Sequence, residues 1–343
     1  ILRWFMNISS EKILVVVPTT GLVEQMYKDF EDYGFDSEKN CHKIYSGKDK
    51  ETDKQVIVST WQSINKLPNV WFEKFGCVFG DECHGFKAKS LSSIMNKAIN
   101  AEYRFGTTGT LDGTQTNEMV LEGLFGPVER VTTTKELQDE ETLAKLNINV
   151  LLLEYSEEIR KSFENKTYQE EIDFIVSHAG RNRLISNLAC DLSGNTLVLF
   201  NLVDKHGKVL QELIKNKIDK KRKLFYVSGE TKTSDRETIR GIVEKQANSI
   251  VLASLGTFST GINIRNIHNI IFASPSKSQI RVLQSIGRGL RMSDDGRTTE
   301  LYDVADDLHF QARKNFTLLH SAERIKIYAK EQFPFKITKV EML

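Results

Sequence analysis

Short, uninterrupted apolar runs recur along the chain, and each is followed by an amphipathic stretch. Continuous Val, Ile and Leu runs without polar alternation are typical of parallel strands that are buried on both faces. Strands that alternate with helices predict a parallel sheet wrapped by helices, so the fold class is α/β. The predicted strands are Ile13–Val17, Gln55–Val58, Cys77–Phe79, Arg104–Phe105, Ile148–Leu153, Thr196–Phe200, Lys223–Val227, Ser249–Ala253 and Asn269–Ala273.

The strand–helix pattern weakens between about Thr132 and Asn147, where the sequence is polar. A chain of 343 residues is long enough for two domains with their own cores. We therefore predict one domain over residues 1–138 and a second over residues 139–343. The charged stretch 155–191 is predicted to be a helical arm of the second domain.

Composition excludes several classes of protein. No apolar run reaches the roughly 18 residues of a membrane span, and no signal peptide is visible. The four cysteines show no CxxC spacing, which predicts reduced, metal-free thiols. We expect a cytoplasmic protein with no membrane contact.

The most informative polar motif is Asp81-Glu82-Cys83-His84, which follows an apolar strand. Asp81 and Glu82 are candidate ligands of Mg²⁺, because this hard cation prefers carboxylate oxygen. Glu82 is also the candidate general base that orients water. We expect His84 to couple this site to the loop that holds Thr107 and Thr110. The alternative interpretation is a pair of exposed acids that caps the next helix.

A second motif follows about 200 residues later. Gln284, Arg288 and Arg291 stand at i, i+4 and i+7, so they share one face of a predicted helix. The two arginines are candidate arginine fingers, since guanidinium contacts phosphate bidentately and keeps its charge. A solvated basic helix face is the alternative. Gly287 and Gly289 argue against it, because each interior helical Gly costs about 1 kcal/mol.

Together the carboxylate pair and the arginine pair are the two halves of a nucleotide-hydrolysing site. Carboxylates hold magnesium and position water, while arginines neutralise charge that develops on phosphate. Their separation in sequence predicts a nucleotide cleft between the two domains.

Further polar clusters follow the predicted strands, at the edge where parallel sheets bind ligands. Their hydroxyls, amides and backbone N–H groups suit contact with a nucleic-acid backbone, although ordinary helix capping is the alternative. The second half of the chain is also basic: residues 151–343 hold 30 Lys+Arg against 24 Asp+Glu. The candidate nucleic-acid contacts are Pro18, Thr19, Thr20, Thr60, Gln62, Ser259 and Thr260.

These motifs, in this order, resemble those of the superfamily 2 helicases and translocases. The DECH box resembles motif II, and Gln284–Arg291 resembles motif VI. The resemblance implies two RecA-like domains, each a mostly parallel sheet flanked by helices, that close over ATP and Mg²⁺. The nucleotide contacts that it implies are Asp81, Glu82, His84, Gly261, Asn263, Gln284, Arg288 and Arg291.

Several other segments resemble the UvsW-type helicases of T-even phages, among them Lys166–Ile172 and the tail from Glu323 to Tyr328. This narrower resemblance implies ATP-driven remodelling of branched DNA (forks, Holliday junctions and R-loops) in phage recombination and repair. The implied partners are DNA and the RNA of R-loops. A monomer in the host cytoplasm is the default expectation.

One departure is serious: no GxxxxGK[ST] loop occurs in the 343 residues. We expect an N-terminally truncated chain that holds ATP poorly and does not hydrolyse it usefully, unlike the intact protein. Two alternatives stay open: a non-hydrolysing nucleic-acid clamp, and a translocase subunit of a restriction or repair system.

Overall fold

The computed structural model describes residues 1–87, 89–109, 115–132, 136, 145–261, 264, 266–275 and 298–342. The chain divides into two compact units, Ile1–Glu129 and Arg130–Leu343. The boundary predicted at 138/139 falls among residues 137–144, outside the described part of the chain.

The first unit is built on a five-stranded sheet in the order β2-β3-β1-β4-β5, and its observed strand pairings are all parallel. Side chains of β1 alternate between two apolar cores, one on each face of the sheet. The strands are β1 Lys12–Val17, β2 Cys41–Ile44, β3 Val56–Thr60, β4 Phe75–Asp81 and β5 Tyr103–Thr107.

Helices join the strands of the first unit, and a short 3₁₀ helix, Cys83–Lys87, follows β4. The α-helices are α1 Leu2–Ile8, α2 Thr20–Asp32, α3 Ser37–Asn40, α4 Trp61–Ile64, α5 Asn69–Phe72, α6 Lys89–Lys97 and α7 Gln115–Phe125.

The second unit has a seven-stranded sheet in the order β12-β6-β11-β10-β7-β9-β8, again with parallel pairings. Apolar cores lie on both of its faces. The strands are β6 Leu146–Glu154, β7 Thr196–Phe200, β8 Lys223–Val227, β9 Ser249–Ser254, β10 Asn269–Phe272, β11 Thr299–Asp307 and β12 Phe335–Glu341.

The stretch 155–191 is helical, as predicted, and one turn of π-helix, Val203–Gly207, follows β7. The α-helices of the second unit are α8 Glu157–Ser162, α9 Tyr168–Ser177, α10 Ala179–Asp191, α11 Lys208–Lys215, α12 Thr233–Glu244, α13 Leu255–Gly261 and α14 Phe316–Lys330.

Two fully buried carboxylates of strand β11, those of Asp303 and Asp306, point to opposite faces of the sheet. Asp303 accepts hydrogen bonds from Arg324 at 2.7 and 2.8 Å and from the Tyr328 hydroxyl at 2.8 Å. Asp306 accepts them from Arg181 at 2.8 and 3.0 Å and from the Tyr155 hydroxyl at 2.8 Å. Burial alone would lower the pKa of the Arg181 guanidinium, yet the Asp306 carboxylate raises it. Each face of β11 therefore has a neutralised, hydrogen-bonded ion pair in its core.

The α/β class with parallel sheets is confirmed, and each predicted strand is present with small shifts of its ends. The sequence interpretation missed three strands. β2 is short and half polar, β11 contains four acidic residues, and β12 mixes polar with apolar residues and is mostly exposed.

Within the described residues, no helix is long and apolar enough to cross a membrane.

Candidate functional site

The carboxylate pair lies where β4 ends, at the carboxyl edge of the first sheet. β4 pairs with β5 in a register that sets Asp81 beside Thr107. The Thr107 hydroxyl donates to Asp81 Oδ1 at 3.0 Å. Burial raises the pKa of the Asp81 carboxyl above its ordinary value of 3.8; the Thr107 hydrogen bond opposes this shift, and the Glu82 charge adds to it. Asp81 is thus a partly desolvated carboxyl, which an added cation would favour in its charged form.

Glu82 has an unusual backbone and an unsatisfied side chain. Its φ is 50°, in the left-handed region that non-glycine residues rarely adopt. Its Oε2 atom is buried and has no hydrogen-bond partner within the described residues, although His84 Nδ1 lies 3.3 Å away. Such local strain and unmet polarity cost stability, and they cluster at functional sites.

His84 lies in the 3₁₀ helix and links the carboxylates to the loop after β5. Its Nδ1 atom is 3.0 Å from the Thr108 hydroxyl oxygen. The predicted coupling partners were Thr107 and Thr110, but Thr107 contacts Asp81 instead, and Thr110 lies outside the described residues. The contact residue that sequence reasoning missed is Thr108, and the Thr107-Thr108 repeat gave no signal to separate the two.

Two glycines let the polypeptide pack closely beneath the carboxylates. Gly80 and Gly106 are register partners on β4 and β5. A Cβ on Gly80 would lie 2.9 Å from Phe86, and one on Gly106 would lie 3.0 Å from Phe125. The two phenylalanine rings pack edge to face at 5.2 Å. This aromatic pair supports the 3₁₀ helix and hence the direction of the Asp81–His84 turn. Glycine at matched positions of neighbouring strands is a signal that the sequence interpretation did not use.

The cysteine inside the motif is not a reactive thiol. Burial raises the pKa of Cys83 to about 11, and the charges of Asp81 and Glu82 act in the same direction. A thiol with a raised pKa is a poor nucleophile and a poor metal ligand at neutral pH.

The carboxylate pair fits a magnesium ion better than a structural metal. Within the described residues neither Asp81 nor Glu82 forms an ion pair with Lys or Arg, and no group of three His, Cys, Asp or Glu residues could hold a metal alone. Magnesium is commonly held by one or two carboxylates together with substrate phosphates.

The first two polar clusters come together at the same edge of the first sheet. β1 and β3 are neighbours, with Val17 beside Thr60. Thr19 caps α2 by accepting from the Leu22 N–H at 3.3 Å. Gln62 donates from Nε2 to the Pro18 carbonyl at 3.3 Å. The predicted contacts Pro18, Thr19, Thr20, Thr60 and Gln62 therefore lie together at one edge of the first sheet.

Their accessibility differs. Thr20 and Gln62 are exposed, whereas Thr60 is 5% exposed and its hydroxyl is 2.9 Å from that of Ser63. Helix capping, the alternative interpretation, is thus observed for Thr19. It does not exclude contact with a nucleic-acid backbone, because the side chains of Thr20 and Gln62 are exposed.

In the second unit the described part of the predicted site is the backbone of α13, which begins directly after β9 and contains Ser259, Thr260 and Gly261. Asn263, Gln284, Arg288 and Arg291 lie outside the described residues.

A buried polar network that the sequence did not predict lies at the carboxyl ends of β7 and β10. The Ser274 hydroxyl accepts from the Asn201 N–H at 3.2 Å and is 3.0 Å from His206 Nδ1. Burial, and next the Arg181 charge, lower the pKa of His206 to about 3, so the ring is neutral.

Comparisons with known proteins agree with this geometry. Residues 1–113 match the family described as the res subunit of type III restriction enzymes, and residues 180–293 match the helicase conserved C-terminal domain. The ATP-dependent DNA helicase UvsW of Enterobacteria phage T4 is 36% identical over 99% of this chain and 70% of its own.

Solved structures point the same way. The crystal structure of T4 UvsW aligns with a TM-score of 0.51 at 35% identity, over 99% of this chain and 70% of that one. A fragment of a putative HsdR subunit of a type I restriction enzyme from Vibrio vulnificus YJ016 has a TM-score of 0.65. Its identity is 16%, over 96% of this chain and 58% of that one, so it supports the fold alone.

Proposed function

The chain belongs to the superfamily 2 helicases, which are ATP-dependent enzymes, and from this premise we propose that it remodels branched DNA. The relative that supports this most strongly is named an ATP-dependent DNA helicase. Stalled forks, Holliday junctions and R-loops in phage recombination and repair are the proposed substrates. We propose that the protein acts as a monomer.

The observation that carries the proposal is the carboxylate pair at the end of β4. Asp81 is desolvated, and Glu82 has a buried, unsatisfied oxygen on a left-handed backbone. These features cost stability, and within the described residues neither carboxylate pairs with Lys or Arg. We propose that Asp81 holds Mg²⁺ with the nucleotide phosphates and that Glu82 orients water. When bound, the metal would neutralise phosphate charge.

The remaining predicted residues complete the proposal. His84 and Thr108 would link the carboxylates to the loop after β5, so that nucleotide occupancy and loop position depend on each other. Gly261, Asn263, Gln284, Arg288 and Arg291 would supply the nucleotide contacts of the second unit. Pro18, Thr19, Thr20, Thr60, Gln62, Ser259 and Thr260 would hold the DNA backbone.

Because the 343 residues contain no GxxxxGK[ST] loop, we propose that this chain alone hydrolyses ATP too slowly to drive translocation. Hydrolysis would require a GxxxxGK[ST] loop, which a form extended at its N-terminus with such a segment would supply. The test measures ATP turnover by both forms with forked, single-stranded and duplex DNA. We expect turnover only in the extended form, highest with forked DNA.

A substitution in the extended form tests the carboxylates directly. Glu82→Gln should reduce turnover about 100-fold or more, because a general base contributes on that scale. Nucleotide affinity should stay nearly unchanged, since the amide keeps the size of the side chain. The exposed Glu31→Gln in α2 is the matched control. Normal turnover by the Glu82→Gln enzyme would remove Glu82 from the mechanism, and turnover by the 343-residue chain would contradict the need for the loop.

A further inference from the structure

An exposed cluster of rings on the second unit has no role in the proposed nucleotide site. It joins the start of α9 to the first turns of α14. The Tyr168 ring lies 5.9 Å from Phe316 and 5.4 Å from His320, in edge-to-face contacts. Tyr168 is 42% exposed, Phe316 37% and the adjacent Leu319 45%. We refer to Tyr168, Phe316, Leu319 and His320 as the aromatic patch.

A buried carboxylate fixes the two helices that carry the patch. Glu171 of α9 is 2% exposed. It accepts hydrogen bonds from the Phe316 N–H at 2.9 Å and the Thr317 N–H at 2.6 Å, which are orphan donors of the first turn of α14. The Asn315 side chain donates to it at 2.8 Å. The rings are therefore held in place before any ligand arrives, which lowers the entropy cost of binding.

Cationic side chains border the patch. The loop from Leu308 to Asn315 contains Arg313 and Lys314, both exposed, and no carboxylate. The Arg313 guanidinium donates to the Asn165 side chain at 3.1 Å, which joins this loop to the segment before Tyr168. Lys166, in that segment, pairs with Glu170 at 2.8 Å.

The patch lies beyond the carboxyl ends of two neighbouring strands. β6 ends at Glu154 and leads to α8 and α9, while β11 ends at Asp307 and leads to α14. The two strands are parallel, with Asp307 beside Glu154. This is the edge of a parallel sheet at which ligands bind.

We propose that the aromatic patch is a stacking platform for single-stranded nucleic acid, with Arg313 and Lys314 on the phosphates. The inference rests on the proposed action on DNA and adds a contact outside the predicted nucleic-acid residues. Exposed rings beside cations bind single strands without sequence preference, since every base has a π face. The cations and the acid-free loop favour this polyanion over an apolar protein segment as the occupant.

The test measures the affinity of the 343-residue chain for a labelled oligothymidine without nucleotide. Phe316→Ala and Tyr168→Ala should each weaken binding about fivefold or more, because each removes one stacking surface. Tyr168→Trp should retain affinity, and its added tryptophan should be quenched by the oligonucleotide. Tyr33→Ala is the matched control, because Tyr33 is 84% exposed and lies in the first unit.

Salt dependence supplies a second measurement. Lys314→Gln should lower the slope of log affinity against log salt by about 0.7, the value for one phosphate contact on a single strand. Circular dichroism should show unchanged folding of all variants, since the substituted side chains are partly or fully exposed. Oligothymidine affinity that is unchanged in Phe316→Ala and Tyr168→Ala would overturn the proposal and leave the patch to a protein partner. If the unsubstituted chain binds no DNA of any form, both this inference and the proposed function fail.

Discussion

Both units have carboxylates in a strand or directly after one, but the hydrogen-bond partners of these carboxylates differ. In the second unit Asp303 and Asp306 of β11 each have a bidentate arginine and a tyrosine hydroxyl. In the first unit Asp81 receives one threonine hydroxyl, and a buried oxygen of Glu82 receives no hydrogen bond within the described residues. Among the described residues, the carboxylates of the first unit are therefore less fully satisfied than Asp303 and Asp306 of the second unit, and we propose that a ligand completes them.

This difference separates a functional from a structural role more clearly than residue type does. Asp and Glu are candidates for metal binding wherever they cluster, and the Asp306-Asp307 dipeptide could be proposed on sequence alone as readily as Asp81-Glu82. The hydrogen-bond partners distinguish the two roles. A carboxylate satisfied by guanidinium and phenol groups belongs to the fold, whereas an unsatisfied one costs stability, and such groups cluster at functional sites.

The largest expected effect comes from breaking a completed pair. Asp303→Asn should destabilise the second unit by about 3–5 kcal/mol, because it removes the charged partner that accepts two hydrogen bonds from the buried Arg324. All three tryptophans (Trp4, Trp61 and Trp71) lie in the first unit, so tryptophan fluorescence in urea follows that unit alone. Circular dichroism follows both units. The circular dichroism transition should move to lower urea while the fluorescence transition stays in place.

The control for this prediction is the double variant Asp303→Leu with Arg324→Met. It removes both charges and should recover much of the lost stability, since apolar replacements of a buried pair are often tolerated. A single variant as stable as the unsubstituted chain would show that the β11 pair is not structural, and the comparison between the units would fail.

The buried ion pairs of β11 explain why sequence reasoning missed this strand. Apolar runs identified nine of the strands, and in most of these, among them β1, β3, β6 and β7, buried apolar residues are near neighbours in sequence. β11 reads as an acidic loop, since its neutralising partners include Arg181, which is 125 residues away from Asp306. Local pattern cannot reveal a strand whose burial depends on a distant counter-ion.

The site was predictable in its position and less so in its contacts. A strand followed by Asp81 and Glu82 placed the carboxylates at the sheet edge, as observed. The left-handed backbone of Glu82 and the Thr108 partner of His84 depend on how the turn packs over Gly80 and Gly106. Those contacts join residues that are not adjacent in sequence, so a local sequence pattern does not reveal them.

At Glu82, which has an unsatisfied carboxylate oxygen, we expect a smaller effect of substitution, and a gain in stability rather than a loss. Glu82→Gly should stabilise the first unit by about 1 kcal/mol, because glycine relieves a left-handed backbone that costs about 1–2 kcal/mol, less its own entropy. Removing the buried oxygen without a partner acts in the same direction. Urea unfolding followed by tryptophan fluorescence measures the change.

Gln332→Gly provides a matched control in the second unit. Gln332 also has a left-handed backbone, with φ of 58°, but it carries no charge. Circular dichroism should show at most the gain from backbone relief. A loss of stability in Glu82→Gly, with a gain in Gln332→Gly, would mean that the Glu82 carboxylate supports the fold.

The smallest effect, and the most diagnostic, concerns Asp81. Burial raises the pKa of this carboxyl in the folded protein above its ordinary value of 3.8. As pH rises, the carboxyl therefore loses its proton in the unfolded chain before it does so in the folded chain. The charged carboxyl therefore costs stability, and this cost develops as pH rises from 3.8 through the folded pKa and is constant above it. Asp81→Asn should remove the cost and make the first unit slightly more stable at pH 7, by less than about 1 kcal/mol. Tryptophan-monitored urea unfolding from pH 4 to 8 should show the advantage growing as pH rises through the folded pKa and then staying constant.

Magnesium should reverse that advantage. A cation that binds the folded first unit stabilises it by mass action. Added Mg²⁺ should therefore raise the urea midpoint of the unsubstituted chain and leave that of Asp81→Asn unchanged. Ca²⁺ at the same ionic strength separates binding of hard cations in general from selection by size. If Mg²⁺ raises both midpoints equally, Asp81 is not its ligand. If Asp81→Asn is less stable than the unsubstituted chain at every pH, the Asp81 carboxyl is a structural acceptor for Thr107. The carboxylates of both units would then stabilise the fold.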